Sequence, residues 1–301
     1  MPVPAPNETF TATMTDGLAV PIRRYGRPGG TRLVVSHGNG FAVDGYRVFW
    51  EPLTERFDVL VFDMRNHGRT EPTGADGHHY EQMAKDIESV ASEVEAALGK
   101  APTVGVFHSM SSRAAMKQAV ERGSPWDALV LFDPPNVPPR DHPLYEAMRV
   151  FELRLLEFAA NRPDRFASVG ELAGLFRGNK ASSRWDEQAK DDMAEAVLRP
   201  RPNGEGYELV CRRELEASIY LAALTLDLWP KASEFGGPMK MIGADHELVP
   251  NTATAKANHA LATENGYEYE AVPKTGHLLQ IEQPEACRAA MLSFLEKLKL
   301  A

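Results

Sequence analysis

The chain has 301 residues, 43% of them hydrophobic and 25% charged, and 33 Lys and Arg stand against 42 Asp and Glu for a net charge of −9. That length and composition suit a soluble α/β domain with a sizeable core, or two smaller domains. The acidic balance argues against nucleic acid or an anionic membrane surface as partner, because both select basic patches.

Cys211 and Cys287 are far apart and follow no metal-ligand spacing, so they read as packed thiols in a reducing compartment. The opening "MPVPAPNETF" has neither the basic nor the apolar segment of a secretory signal. No apolar run reaches the ~18–20 residues needed to span a bilayer. A cytoplasmic location follows as the expectation.

In chain order, "TFTATMT" and "LAVPIRRYG" flank Asp16-Gly17 and predict an opening hairpin. "RLVVSHG" (32–38) and "DVLVFDMR" (58–65) read as buried strands. Residues 79–99 carry helical spacing through Met83, Ile87, Val90, Val94 and Leu98, and Gly99 ends the pattern. A strand at 102–108, a helix from Ser109 and a strand at 127–135 follow. Residues 136–232 show only helical patterns and polar loops, among them "PLYEAMRVFELRLLEFAANRP" and "RRELEASIYLAALTLDLWP". Strands at 238–245 and 267–277 and a helix over 284–300 restore the alternation. This order predicts a mostly parallel sheet covered on both faces. It divides the chain into 1–135, a helical insertion at 136–232 and 233–301. The insertion is placed to form a lid over the carboxyl ends of the strands, where such sheets bind ligands.

Ser109 follows an apolar run and begins a helix, in "VGVFHSMSS" (104–112). At such a turn the hydroxyl is exposed, and the Met110 amide and the helix dipole can stabilise an oxyanion. Taken alone, the serine is equally well a helix N-cap. Two further segments favour chemistry. "HGNG" (37–40), directly after a strand, is a tight turn whose amides can complete an oxyanion hole, with Asn39 as the donor. "KTGHLLQIEQPE" (274–285) places His277 after the last strand, as a candidate base. "DMRNHGRT" (63–70) forms a similar loop.

Together these segments resemble the α/β-hydrolase superfamily with a helical cap, over residues 8–300. "DMRNHGRT" stands for the usual D-x-R-G-x-G-x-S, and "HSMSS" for H-S-M-G-G. The resemblance implies an eight-stranded, mostly parallel sheet. It implies Ser109 as nucleophile, His277 as general base and acid, and Met110 and Asn39 as oxyanion donors. The acid has two candidates: Asp133 in "LVLFDPPNVP", and Asp245 in "GADHELVP", where the family position counted from Gly243 falls on His246. Asp133 is favoured, and Glu247 is the least suited. Phe107 and Ser111 occupy the glycine positions of the elbow. With Phe41 they are expected to border the substrate, Phe107 by pointing into an open pocket.

The expected activity is hydrolysis of an ester, thioester or lactone of a small apolar molecule, without cofactor. A low-turnover ligand-binding or signalling protein, and C–C bond hydrolysis or perhydrolysis by the same residues, are the alternatives. The fold's Asp-nucleophile enzymes do not fit a serine at 109. His67 with "GHH" (77–79) is too sparse for zinc, and no glycine-rich phosphate loop is present.

Overall fold

The Asp16-Gly17 turn, with Gly17 at φ +86, folds β1 (Glu8–Thr13) against β2 (Ala19–Gly26) so that Phe10 lies opposite Ile22. This hairpin opens a computed structural model that describes residues 2–248 and 253–301. Chain alternation then proceeds as β3 (Arg32–Val35), α1 (Arg47–Trp50), β4 (Asp58–Phe62), α2 (Tyr80–Leu98), β5 (Thr103–His108), α3 (Met110–Arg122) and β6 (Ala128–Phe132). Next come α4 (Tyr145–Asn161), β7 (Arg165–Phe166), α5 (Val169–Gly178), α6 (Glu187–Ala196), β8 (Leu198–Pro200), β9 (Tyr207–Leu209) and α7 (Arg213–Ala223). The chain ends with β10 (Met239–Ala244), α8 (Ala253–Asn265), β11 (Glu268–Val272), α9 (Leu279–Glu282) and α10 (Pro284–Lys297).

Among the described residues eight strands form one sheet in the order β1-β2-β4-β3-β5-β6-β10-β11, parallel from β4 onward and antiparallel at β1-β2 and β2-β4. Successive residues of a strand face opposite sides, and both sides are apolar. Leu33, Val35, Val106 and Val130 pack with Phe49, Trp50, Met291 and Phe294 on one face. Val34, Leu60, Phe107 and Leu131 pack with Met83, Ile87, Ala115 and Met116 on the other. Burial on both faces is why the central strands are continuous apolar runs. No helix among the described residues is long and apolar enough to cross a membrane.

The segment between β6 and β10 departs from the purely helical expectation. Besides α4 to α7 it contains a small antiparallel sheet in the order β7-β9-β8, with strands of two or three residues. Strands that short carry no readable period-two pattern. The segment is tied to the main sheet layers by buried ion pairs. Glu152 of α4 meets Arg113 of α3 at 2.9 Å, and Asp192 of α6 meets Arg47 of α1 at 2.8 Å.

Candidate active site

β5 runs into α3 through Ser109, whose φ of +53 and ψ of −113 lie outside the regions ordinary residues occupy. Small neighbours and local hydrogen bonds hold the turn. The Ser109 amide donates to the Phe132 carbonyl at 2.9 Å. The Ser111 hydroxyl accepts from the His108 amide at 3.1 Å and donates to the His108 carbonyl at 3.0 Å. Ser111 is fully buried in this role, so it does not border a substrate. Phe107 also departs from expectation. Alternation sends it to the face away from His108, where it is fully buried and packs edge-on to Trp126 at 5.5 Å and Phe62 at 6.4 Å. A Cβ on Gly105 would stand 2.6 Å from the Phe107 ring, so the glycine two residues earlier supplies its space. Phe41, at the end of the HGNG turn, is partly buried and meets Trp185 edge-on at 5.9 Å.

His277 sits between β11 and α9. Its Nε2 lies 2.9 Å from Ser109 Oγ and its Nδ1 lies 2.6 Å from Asp133 Oδ2. Asp133 follows β6 at φ +43 and is fully buried. Its other oxygen accepts from the Ala244 amide at 3.0 Å and from Asn258 Nδ2 at 2.9 Å. With the carboxylate accepting, Nδ1 carries the proton, and Nε2 accepts the serine hydroxyl's. Asp245 occupies a different place. Its oxygens accept from the amides of Glu247 and Lys274 at 2.9 and 2.8 Å, and these amide bonds hold its carboxyl below the usual range. Among the described residues it makes no hydrogen bond or ion pair with His277, and Glu247 is exposed.

The HGNG turn is clamped by two neutral histidines. The Met64 amide donates to His37 Nε2 at 3.0 Å, while His37 Nδ1 donates to the Gly38 carbonyl. The Gly40 amide donates to His67 Nε2 at 3.0 Å, while His67 Nδ1 donates to the Arg65 carbonyl. Each ring uses one nitrogen as acceptor and the other as donor, which only the neutral form allows. Burial agrees, pushing His37 down to about 4 and His67 to about 3. The Gly38 amide donates to the Tyr46 hydroxyl at 3.3 Å. With the Gly40 amide also engaged, the Asn39 amide is the one between them that makes no hydrogen bond among the described residues. The Met110 amide opens α3 and so has no acceptor within the helix. Gly38 brings the turn onto the elbow, since a Cβ there would stand 3.1 Å from Ser109 Cβ.

Two further groups escaped sequence reasoning. His108 Nε2 donates to the His277 carbonyl at 2.8 Å, so its Nδ1 accepts from the Tyr46 hydroxyl at 2.8 Å. This fully buried histidine, driven well below its ordinary pKa by burial, ties the His277 loop to the elbow. Its adjacency to Ser109 was the available signal. The second group is Glu216 of α7. Its backbone carbonyl accepts from Asn39 Nδ2 at 2.9 Å, and its carboxylate lies against Gly40. Nothing in "RRELEASIY" marks that residue apart from its neighbours.

The comparisons with known proteins agree on the fold. The model of the alpha/beta hydrolase family matches residues 33–290. An uncharacterized hydrolase, YugF, of Bacillus subtilis is 22% identical over 97% of this chain and 98% of its own length. Among solved structures, E-2-(acetamidomethylene)succinate hydrolase superposes with a TM-score of 0.74 at 19% identity, covering 96% of this chain and 99% of that one. The thioesterase domain from the curacin biosynthetic pathway superposes with a TM-score of 0.69 at 18% identity, covering 95% and 98%.

Proposed function

The chain belongs to the alpha/beta hydrolase family, and from that premise we propose that it is a serine hydrolase that cleaves an ester, thioester or lactone through an acyl-enzyme. The observation that carries this reading is the relay from Asp133 through His277 to Ser109, with separations of 2.6 and 2.9 Å. Ser109 Oγ attacks the carbonyl carbon as His277 Nε2 takes its proton. The carbonyl oxygen gains negative charge, and the Met110 and Asn39 amides stabilise it. His277 then returns the proton to the leaving oxygen or sulfur, and water, activated by the same nitrogen, releases the acid. Asp133 keeps the imidazole in the productive tautomer and offsets the charge it acquires. The segment 136–232 acts as the cap that shapes the substrate site.

Labelling by a fluorophosphonate probe tests the reading. Wild-type protein is expected to label and Ser109→Ala to remain unlabelled, and equal labelling of both overturns the assignment. Hydrolysis of p-nitrophenyl butyrate, lost in His277→Ala, is the companion measurement, and its absence favours a binding protein that has kept only the fold.

A further inference from the structure

A cavity of about 1040 Å³ lies in the segment between β6 and β10, lined by residues between Arg154 and Leu209. Phe158, Phe166, Leu172, Leu175, Phe176 and Leu209 line it, and Phe158 and Leu175 are more than half exposed at its edge. Arg154, Glu157, Asn161 and Asn179 also border it from exposed positions, whereas Arg162, at the C-terminus of α4, is largely buried.

Arg162 is 16% exposed, and its Nη2 lies 2.8 Å from Glu216 Oε2. That ion pair is close but badly aligned. Arg162 Nε and Nη2, and Glu216 Oε2, are all buried without a hydrogen-bond partner among the described residues. Nε and Nη2 form one edge of the guanidinium, the edge that takes a planar carboxylate side-on through two parallel N–H···O bonds. A buried charged donor left unsatisfied is costly, so a group that satisfies both hydrogens gains the corresponding binding energy.

Glu216 connects this edge to the candidate active site. Its Oε1 lies 2.6 Å from where a Cβ on Gly40 would stand, and its backbone carbonyl holds the Asn39 side chain. Arg162 therefore lines the cavity and, through Glu216, adjoins the turn that packs on Ser109. Burial pushes the Glu216 carboxyl up, and the Arg162 guanidinium opposes that rise. When another carboxylate takes over the pairing with Arg162, Glu216 is suited to take a proton.

We propose that Arg162 is a specificity residue that binds a carboxylate carried by the substrate, with the substrate's apolar segment in the cavity. The substrate is then an ester, thioester or lactone bearing both an apolar chain and a free acid. This rests on the serine-hydrolase reading for its reaction, but not for its binding.

Two measurements test it. The first compares kcat/KM for p-nitrophenyl monoesters of adipic, pimelic and suberic acids with neutral p-nitrophenyl esters of equal chain length. Wild-type protein is expected to favour the acidic ester at one chain length at least. In Arg162→Gln the acid-to-neutral ratio falls by at least about tenfold, and in Arg162→Lys, which keeps the charge but not the edge, it falls part of the way. In Glu216→Gln, which frees the edge, the ratio rises. An unchanged ratio in Arg162→Gln, or a fall in Glu216→Gln matching that of Arg162→Gln, overturns the proposal.

The second measurement is calorimetric titration of Ser109→Ala protein with adipate, pimelate and suberate, which needs no turnover. Binding that disappears in Ser109→Ala/Arg162→Gln supports the proposal even if no ester is hydrolysed, and in that case the hydrolase reading fails alone. Esters hydrolysed at Ser109 with indifference to the acid, and no diacid binding, sink the proposal and leave the hydrolase reading standing. Thermal melting of each variant, with Arg162→Lys as the conservative control, separates lost recognition from lost folding.

Discussion

His277 Nδ1 and Asp133 Oδ2 stand 2.6 Å apart, so the carboxylate facing the imidazole comes from the end of β6 rather than from the loop after β10. Asp133 is fixed from both sides, by the Ala244 amide and by Asn258, in a position with no exposure to water. Asp133→Asn presents an amide where the carboxylate was, favours the wrong imidazole tautomer and leaves the imidazolium uncompensated. On the proposed mechanism kcat is expected to fall by about 10³- to 10⁴-fold. Asp245→Asn removes the acceptor of only one of two loop amides, and kcat is expected to stay within roughly threefold of wild type. Steady-state hydrolysis of one activated ester decides between them. Equal losses in the two variants would return Asp245 to candidacy.

Phe107 is the clearest case of a residue whose proximity to the nucleophile in sequence does not mean proximity in chemistry. Its ring is fully buried between Phe62 and Trp126 on the α2–α3 side of the sheet. Phe107→Ala is expected to cost about 3–5 kcal/mol of stability by leaving a cavity. Phe107→Leu, which keeps much of the volume, is expected to cost less and to retain the wild-type KM. Urea unfolding paired with kinetics at a temperature where the variant is folded checks both. A KM that changes with acyl length in Phe107→Leu would put the ring back at the site.

These cases show what made the molecule legible. The strands at 32–35, 58–62, 103–108 and 128–132 are runs buried on both faces, and such runs between turn residues are the plainest local signal a chain carries. Ser109 and His277 are joined because parallel strands deliver their carboxyl ends to one edge, which element order alone foretells. Orientation within a strand is legible too, since period two puts Phe107 on the face opposite Val106 and His108. The pairings Arg113–Glu152 and Arg162–Glu216 had no such signal. They join residues distant in sequence through the packing of the insertion, and a charged residue in an amphipathic helix looks the same whether it meets water or a buried partner.

Gly40 tests the fit between the HGNG turn and the insertion. Its φ is +74, and a Cβ there would stand 2.6 Å from Glu216 Oε1. Gly29, at φ +92 with nothing within 4 Å of its Cβ position, is a control for backbone strain alone. Gly29→Ala is expected to cost about 1 kcal/mol and Gly40→Ala about 2 kcal/mol or more, with a fall in kcat/KM only for the latter. The excess is steric, so Glu216→Ala in the Gly40→Ala background recovers part of the lost stability in a double-mutant cycle. Additive effects, or equal costs at the two glycines, would mean that Glu216 moves aside freely.

Stability is expected to fall as pH falls from about 6.5 toward 3, because the buried histidines resist protonation. His37 is pushed down to about 4, and His67 and His78 to about 3, in each case mainly by burial. Each titrates in the unfolded chain near its ordinary value of 6.5. Above that value neither state is protonated and the rings cost nothing. Below it the unfolded chain binds protons that the native state refuses, so unfolding gains about 1.4 kcal/mol per ring for each pH unit until the native value is reached. At pH 5 that amounts to about 2 kcal/mol per ring, on the order of 6 kcal/mol for the three. His67→Gln keeps an acceptor for the Gly40 amide and a donor for the Arg65 carbonyl while removing the titration. Urea unfolding free energies measured from pH 7 to 4 are therefore expected to fall less steeply in His67→Gln than in wild type, by close to one proton's slope. The carboxylates contribute alike in both proteins, so the difference between the two slopes isolates the histidine. Parallel profiles would show that His67 is free to charge in the folded protein, and that the clamp on the HGNG turn opens in acid.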